Sequence, residues 1–254
     1  MAKVIAIASQ KGGIGKTTTA VSLATGLATK GFKTLLIDNE PQRSATRTYR
    51  AQVEDTATLY DLLFGNEKAV DCIQHTPVGD IIAGDPLLNG ADQKFPIDGS
   101  RNFLLKEKCA ELNDLYDFII IDTPPGLGVI LTNALTFADE LIIPTSFDDY
   151  AIGGIADISQ TCESVKKYTN PNLKVRGIIV TRYEGLNLDK STEEIMPTVT
   201  ETLNTELLKP YIRKCVLVRE SQTARQSIFT YAPKCTSALD YMEICDILAK
   251  EVNK

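Results

Sequence analysis

Gly12, Gly13, Ile14, Gly15, Lys16, Thr17 and Thr18 stand in one unbroken run near the start of the chain. Glycines let a backbone fold tightly round an anion and turn its N–H groups inward, and a helix that begins there adds partial positive charge. After such a loop, Lys16 would reach the β- and γ-phosphates of a nucleotide, and the Thr17 hydroxyl would ligate Mg²⁺. Two other places supply carboxylates. Asp38-Asn39-Glu40-Pro41-Gln42 follows the apolar run 34–37, and Asp122 closes Phe118-Ile119-Ile120-Ile121 ahead of Thr123-Pro124-Pro125-Gly126. A carboxylate ending a buried strand beside a phosphate loop is placed to serve the metal. The stiff Pro-Pro-Gly turn after it suits a segment that senses the γ-phosphate.

Those residues need elements that bring them together. Lys3 to Ala8 reads as a buried parallel strand, and Thr19 to Lys30 carries Val21, Leu23, Ala24, Leu27 and Ala28 on a helical face;. Strand, glycine loop and helix are the context a phosphate loop requires. Gly31 ends that helix, and 34–37 is a second strand that delivers Asp38 and Glu40 to the carboxyl edge of the sheet. Arg43 to Arg50 reads as helical, with Arg43, Arg47 and Arg50 on one face, either solvated or in contact with phosphate. Further along, the pattern predicts a short helix over 59–64, a short strand over 81–83, a loop-rich stretch over 84–100 and a helix over 103–115. Beyond the Asp122 strand it predicts a helix over 133–138, a strand over 140–144, a helix over 155–167 and a strand over 175–181. An amphipathic helical stretch then runs to about residue 209, interrupted by Pro197, and a last helix spans 237–252. Strands alternating with helices indicate an α/β fold with a doubly wound, mostly parallel sheet flanked by helices. No linker or shift of composition divides the chain, so residues 1–254 are expected to form a single domain of the P-loop NTPase kind.

The loop departs from the general G-x-x-x-x-G-K-[ST] pattern. Gln10 stands where the first glycine would fall, and Lys11 follows it. A second lysine at that place is the mark of the deviant Walker A motif, and here the sequence resembles the ParA/MinD family of dimerising ATPases over essentially its whole length. The nearest pattern is that of the short, Soj-like ParA partition proteins. The resemblance implies ATP and Mg²⁺ as ligands, with metal held by Thr17 and by Asp38 or Asp122. It implies a homodimer that sandwiches ATP and is completed by Lys11 reaching the opposite nucleotide. It implies non-specific DNA binding by the ATP dimer and stimulation by a ParB-like partner.

Two departures strain it. The family's second aspartate after the second strand orients the attacking water, and this chain has Glu40 there, with Arg43 where glycine is usual. A carboxylate moved by about 1 Å can cost on the order of 100-fold in rate, so hydrolysis is intact, slow or dependent on the partner. The arginines that touch DNA in relatives are displaced or lost in Arg182-Tyr183-Glu184-Gly185-Leu186 and in 212–217. Between Glu206 and Cys235, however, Lys209, Arg213, Lys214, Arg219, Arg225 and Lys234 face only Glu206 and Glu220. Arg213, Lys214, Arg219 and Arg225 are therefore candidate DNA contacts, with solvated or nucleotide-side contacts as the alternative.

Composition narrows the classes. With 43% hydrophobic and 24% charged residues the chain has the make-up of a globular protein, and its net charge of −6 confines any attraction for nucleic acid to a local patch;. No apolar run is long enough to span a bilayer, and the first strand begins at Lys3, so a cytoplasmic protein is expected. The acidic last helix, with Asp240, Glu243, Asp246 and Glu251, argues against stable membrane association;. The six cysteines have no C-x-x-C spacing and read as buried free thiols; His75 reads as a loop or surface residue without a nearby partner;. A nucleotide-gated scaffold for a protein cargo, with little DNA binding, is the second reading. A small-molecule ligase on the same fold is a third, and Lys11 argues against it.

Overall fold

The computed structural model of the protein describes residues 1–146, 151–185 and 190–252, with backbone alone at 151–154, 190–195 and 251–252. The strands are β1 (Lys3–Ile7), β2 (Thr34–Asp38), β3 (Ile73–His75), β4 (Asp80–Ile82), β5 (Phe118–Asp122), β6 (Glu140–Thr145), β7 (Lys174–Val180) and β8 (Leu207–Leu208). They form one sheet in the order β3-β4-β2-β5-β1-β6-β7-β8, parallel throughout except for the β3–β4 pair. The α-helices are α1 (Lys16–Thr29), α2 (Ser44–Tyr49), α3 (Leu59–Phe64), α4 (Leu104–Lys108), α5 (Val129–Phe137), α6 (Ala151–Tyr168), α7 (Lys190–Thr202), α8 (Val216–Thr223), α9 (Ile228–Tyr231) and α10 (Thr236–Val252).

The sheet explains why the central strands are almost wholly apolar: both of its faces are covered. Along β1, Val4 and Ala6 join the core under α3, α4, α5 and α6, whereas Ile5 and Ile7 join the core under α1 and α10. β5 divides in the same way, with Ile119 and Ile121 on one side and Phe118 and Ile120 on the other. α1 lies against α10 so closely that a Cβ at Gly26 would come within 2.6 Å of Cys245 Sγ. The buried side of α10 is Ala238, Tyr241, Ile244, Cys245, Leu248 and Ala249, so its apolar face packs on the core, while Leu239 is half exposed.

Several expectations need correction. The helix expected over 103–115 breaks at Cys109 into α4 and a 3-10 turn over Ala110–Asp114. α7 runs on through Pro197 without the expected interruption and ends at Thr202, and β8 occupies Leu207–Leu208 where the helical stretch was expected to reach about residue 209. Part of the helical stretch expected after Thr181, residues 186–189 with Leu186, lies outside the described residues. His75 has a partner five residues away: it ends β3, and its Nδ1 lies 2.7 Å from Asp80 Oδ1 on β4. Every cysteine is free, as expected, but Cys215 and Cys235 are partly exposed rather than buried. Among the described residues no helix is long and apolar enough to cross a membrane.

Candidate active site

β1 lies between β5 and β6, and the chain reverses its direction of travel across the sheet at this strand. A crevice opens outside the carboxyl ends at such a point, and ligands of open α/β sheets bind there. The glycine loop leaves β1 into that crevice. Gly13 and Gly15 have φ of 70° and 94°, values that only glycine adopts without strain, and Gly15 directly precedes α1;. Two threonines fasten the loop. The Thr181 hydroxyl donates to the carbonyls of Ile14 (2.7 Å) and Thr145 (3.0 Å), and the Thr123 hydroxyl donates to Ile7 O at 2.8 Å.

A cavity of about 600 Å³ lies in front of the loop. Gly12, Gly13, Gly15, Lys16, Thr17 and Thr18 form its floor. Glu40, Gln42 and the α2 residues Ser44, Arg47 and Thr48 form one wall, and Arg219, Gln222, Thr223 and Arg225 another. Lys16 is buried, and its ammonium rests on the Lys11 carbonyl at 3.2 Å. Burial pushes the Lys16 pKa down, and the nearby Asp122 and Glu40 oppose that shift.

The three carboxylates differ in how they are held. Asp38 and Asp122 are fully buried and stand opposite each other in the register of β2 and β5. Asp38 Oδ2 accepts the Thr46 N–H (2.7 Å) and hydroxyl (2.6 Å), and its Oδ1 accepts the Glu40 N–H at 3.3 Å. Asp122 has no hydrogen-bond partner on either oxygen among the described residues. Burial, then the Asp38 charge, drives the Asp122 pKa well above the usual carboxylate range; the Thr17 hydroxyl opposes this without closing a bond of ordinary geometry. Glu40 is also raised by burial, against the Gln42 N–H and Lys16. A buried carboxylate with two idle oxygens, one hydroxyl away from a phosphate loop, suits a hard divalent cation. Among the described residues no cluster of three or more His, Cys, Asp or Glu could hold a metal.

The segment after β2 is a tight turn. Arg43 N–H donates to Glu40 O at 2.9 Å, and Arg43 takes φ of 58°, a left-handed conformation that glycine would adopt freely;. The three arginines of 43–50 do not share one fate. Arg47 lines the cavity and its guanidinium donates to the Gln42 carbonyl, whereas Arg50 donates to the carbonyls of Arg225 (2.9 Å) and Ala224 (3.2 Å) at the end of α8. α8 is fastened from its other side by Gln222, whose amide donates to Thr18 Oγ1 at 2.8 Å. Of the candidate DNA contacts, Arg219 and Arg225 therefore stand in the cavity wall. Arg213 is paired through its guanidinium with Asp240, and Lys214 with Glu184. A second cavity of about 430 Å³ adjoins the first, lined by Gly13, Gly15, Ile212, Val216, Val218 and Tyr241 among others.

Sequence reasoning missed Thr46, Gly84, Gln222 and Thr223, and it named the wall residues Arg219 and Arg225 first as DNA contacts, with nucleotide-side contact as the alternative. The Gly84 N–H donates to Thr46 Oγ1 at 2.9 Å, and a Cβ at Gly84 would stand 2.7 Å from Asp38 O and 3.1 Å from Glu40 O. The only signals were a glycine directly after the strand over 81–83 and a hydroxyl residue in the helix after Asp38.

Comparison with known proteins agrees with this geometry. A family model described as an AAA domain matches residues 2–175. The sporulation initiation inhibitor protein Soj of Bacillus subtilis is 34% identical over 99% of this chain and 98% of its own. The chain belongs to the ParA/MinD family. The chromosome partitioning protein ParA of Caulobacter vibrioides is another ParA/MinD relative, 31% identical over 98% of this chain and 95% of its own. Among solved structures, cobyrinic acid a,c-diamide synthase of Mycobacterium smegmatis with a bound ATP analogue and magnesium is similar, with a TM-score of 0.85 and 27% identity over 100% of this chain and 97% of that one. The P-loop ATPase fold expected from the sequence is therefore the fold observed.

Proposed function

We propose that this ParA/MinD protein is a Mg²⁺-dependent ATPase whose ATP-bound homodimer acts as a switch in partitioning a plasmid, mobile element or chromosome. The observation that carries the reading is the convergence of the buried Lys16 and the Glu40 carboxylate on one cavity in front of the glycine loop, with Asp122, its oxygens idle among the described residues, close enough for its charge to act on Lys16. In this reading residues 1–254 work as one ATPase unit in the cytoplasm. The loop from Gly12 to Thr18 wraps the phosphates with its N–H groups, and Lys16 meets the β- and γ-phosphates. The less polar adjoining cavity takes the base and sugar.

Thr17, Asp122 and Asp38 would hold Mg²⁺, which on binding neutralises phosphate charge. Glu40 orients the attacking water, and its raised pKa strengthens it as a proton acceptor;. Lys11 reaches the nucleotide of the second copy. The magnesium-bound ATP analogue of the Mycobacterium smegmatis structure and the partitioning relatives support this reading. The Lys11 position speaks for a dimeric switch over a ligase.

The ATP dimer binds duplex DNA without sequence preference, and a ParB-like partner stimulates turnover. A second reading, a nucleotide-gated scaffold with little DNA affinity, is favoured by the placement of the basic residues: Arg213 and Lys214 are paired with acids and Arg219 and Arg225 line the cavity. Titration with random-sequence duplex DNA at several salt concentrations separates the two. ATP-dependent binding that weakens steeply with salt supports the partition switch, because phosphate contacts release counterions. No binding even at low salt, with ATP bound, leaves the scaffold.

A further inference from the structure

The Thr46 hydroxyl lies between two groups that leave no freedom in the direction of its proton. A backbone N–H can only donate, and that of Gly84 donates to Thr46 Oγ1;. The Thr46 proton is thereby committed to Asp38 Oδ2, the same oxygen that already accepts the Thr46 N–H. All of these groups are buried. Thr48, in the same helix, shows the ordinary behaviour of a helical threonine: its hydroxyl donates to Ser44 O four residues back, at 3.0 Å;. Thr46 does not do this. The carbonyl four residues before it, Gln42 O, takes the Arg47 guanidinium instead.

Asp38 is therefore held asymmetrically. One oxygen accepts two short bonds, and the other accepts a single long one from Glu40 N–H, among the described residues. We propose that Thr46 is a positioning residue for the ATP reaction: saturating Asp38 Oδ2 fixes the rotation of the carboxylate and reserves the capacity of Oδ1 for the metal–phosphate end of the cavity. Gly84 acts through Thr46, since its N–H sets the direction of the hydroxyl. The inference rests on the reading of the site as a Mg²⁺-dependent ATPase.

Thr46→Val keeps the shape of the side chain and removes the donor, and Thr46→Ser keeps the donor. The test compares both with wild type by titrating a fluorescent ATP analogue with Mg²⁺ and again with EDTA, and by measuring turnover and Tm. Thr46→Val is expected to bind the analogue in EDTA within about twofold of wild type. It should lose roughly tenfold of the affinity gained on adding Mg²⁺, and roughly tenfold or more of kcat, the range for one lost hydrogen bond to a charged group. Thr46→Ser is expected to recover both. A Thr46→Val protein with a lowered Tm but an unchanged gain from Mg²⁺ would overturn the proposal, leaving Thr46 a structural residue. A Thr46→Ser protein that has lost the Mg²⁺ gain would overturn it as well, whether or not Thr46→Val folds. Failure of wild type to bind the analogue under any condition would instead sink the ATPase reading itself.

Discussion

Asp38 and Asp122 occupy facing positions in neighbouring parallel strands, both fully buried, yet one is enclosed by hydrogen bonds and the other has none among the described residues. Two such charges at close quarters cannot both be comfortable without a cation. Asp38, fed by the Thr46 N–H and hydroxyl, keeps the negative charge more readily, and Asp122 takes the strain of burial.

The first prediction concerns pH. A carboxyl whose pKa is raised by folding binds its proton more tightly in the native state, so unfolding stability falls as pH rises from the ordinary carboxylate range of about 4 through the raised value. Asp122, Asp38 and Glu40 are all shifted in this direction. The metal-free, nucleotide-free protein should therefore lose Tm as pH rises above the ordinary carboxylate range. Asp122→Asn should flatten that decline. Thermal melts of both proteins in EDTA over that rise in pH check it, and parallel curves would contradict it.

Gly84 makes a different demand. A Cβ there meets backbone oxygen of Asp38 and Glu40, and backbone cannot swing aside as a flexible side chain can. Gly84→Ala should destabilise the protein by about 1–3 kcal/mol, the usual range for overpacking. It should depress kcat more than it raises KM for ATP, since the displaced residues carry the reaction rather than the loop. Melting curves and steady-state kinetics read both effects.

Arg219 belongs to both cavities, at the junction of the two. Arg219→Ala is expected to raise KM for ATP several-fold. It should change the salt dependence of DNA binding little, provided the ATP dimer is saturated. A reduced salt slope at saturating ATP would return Arg219 to the DNA surface.

The pattern of what the sequence displays follows from its physics. The phosphate loop, β1, β2 and β5 are legible because buried parallel strands are apolar runs and glycines mark the positive-φ turn;. α8 is not legible: it is short and largely exposed, and its partners Arg50 and Thr18 lie more than 170 residues away in the chain. The Thr46–Gly84 bond spans 38 residues, and no period of 2 or 3.6 encodes it;. His75 finds Asp80 because Thr76 to Gly79 close a turn, with hydrogen bonds between them in both directions. The end of the long helix expected over 103–115 was hidden because Cys109 is apolar and buried, with no glycine or proline to mark the break.

Arg43, which stands where the family has glycine, carries a positive φ that costs about 1 kcal/mol in a residue with a side chain;. Arg43→Gly should raise Tm by a few degrees, and ATP turnover should not fall, because the Arg43 N–H bond to Glu40 O is a backbone bond and persists;. A drop in turnover would show that the Arg43 guanidinium itself takes part.

In the proposed mechanism Glu40 supplies the water-positioning carboxylate on a longer arm. The decisive measurement is ATP turnover with Mg²⁺, with and without random duplex DNA, for wild type, Glu40→Asp and Glu40→Ala. Wild type is expected to hydrolyse ATP and Glu40→Asp to remain active. Glu40→Ala should bind ATP normally but lose about a hundredfold or more in kcat, the scale of a lost general base. If Glu40→Ala turned ATP over as fast as wild type, Glu40 would not be the residue that orients the water, and the ATPase mechanism would be wrong at its centre; if both were inert while ATP still drove dimerisation, the nucleotide-gated scaffold would be the better reading.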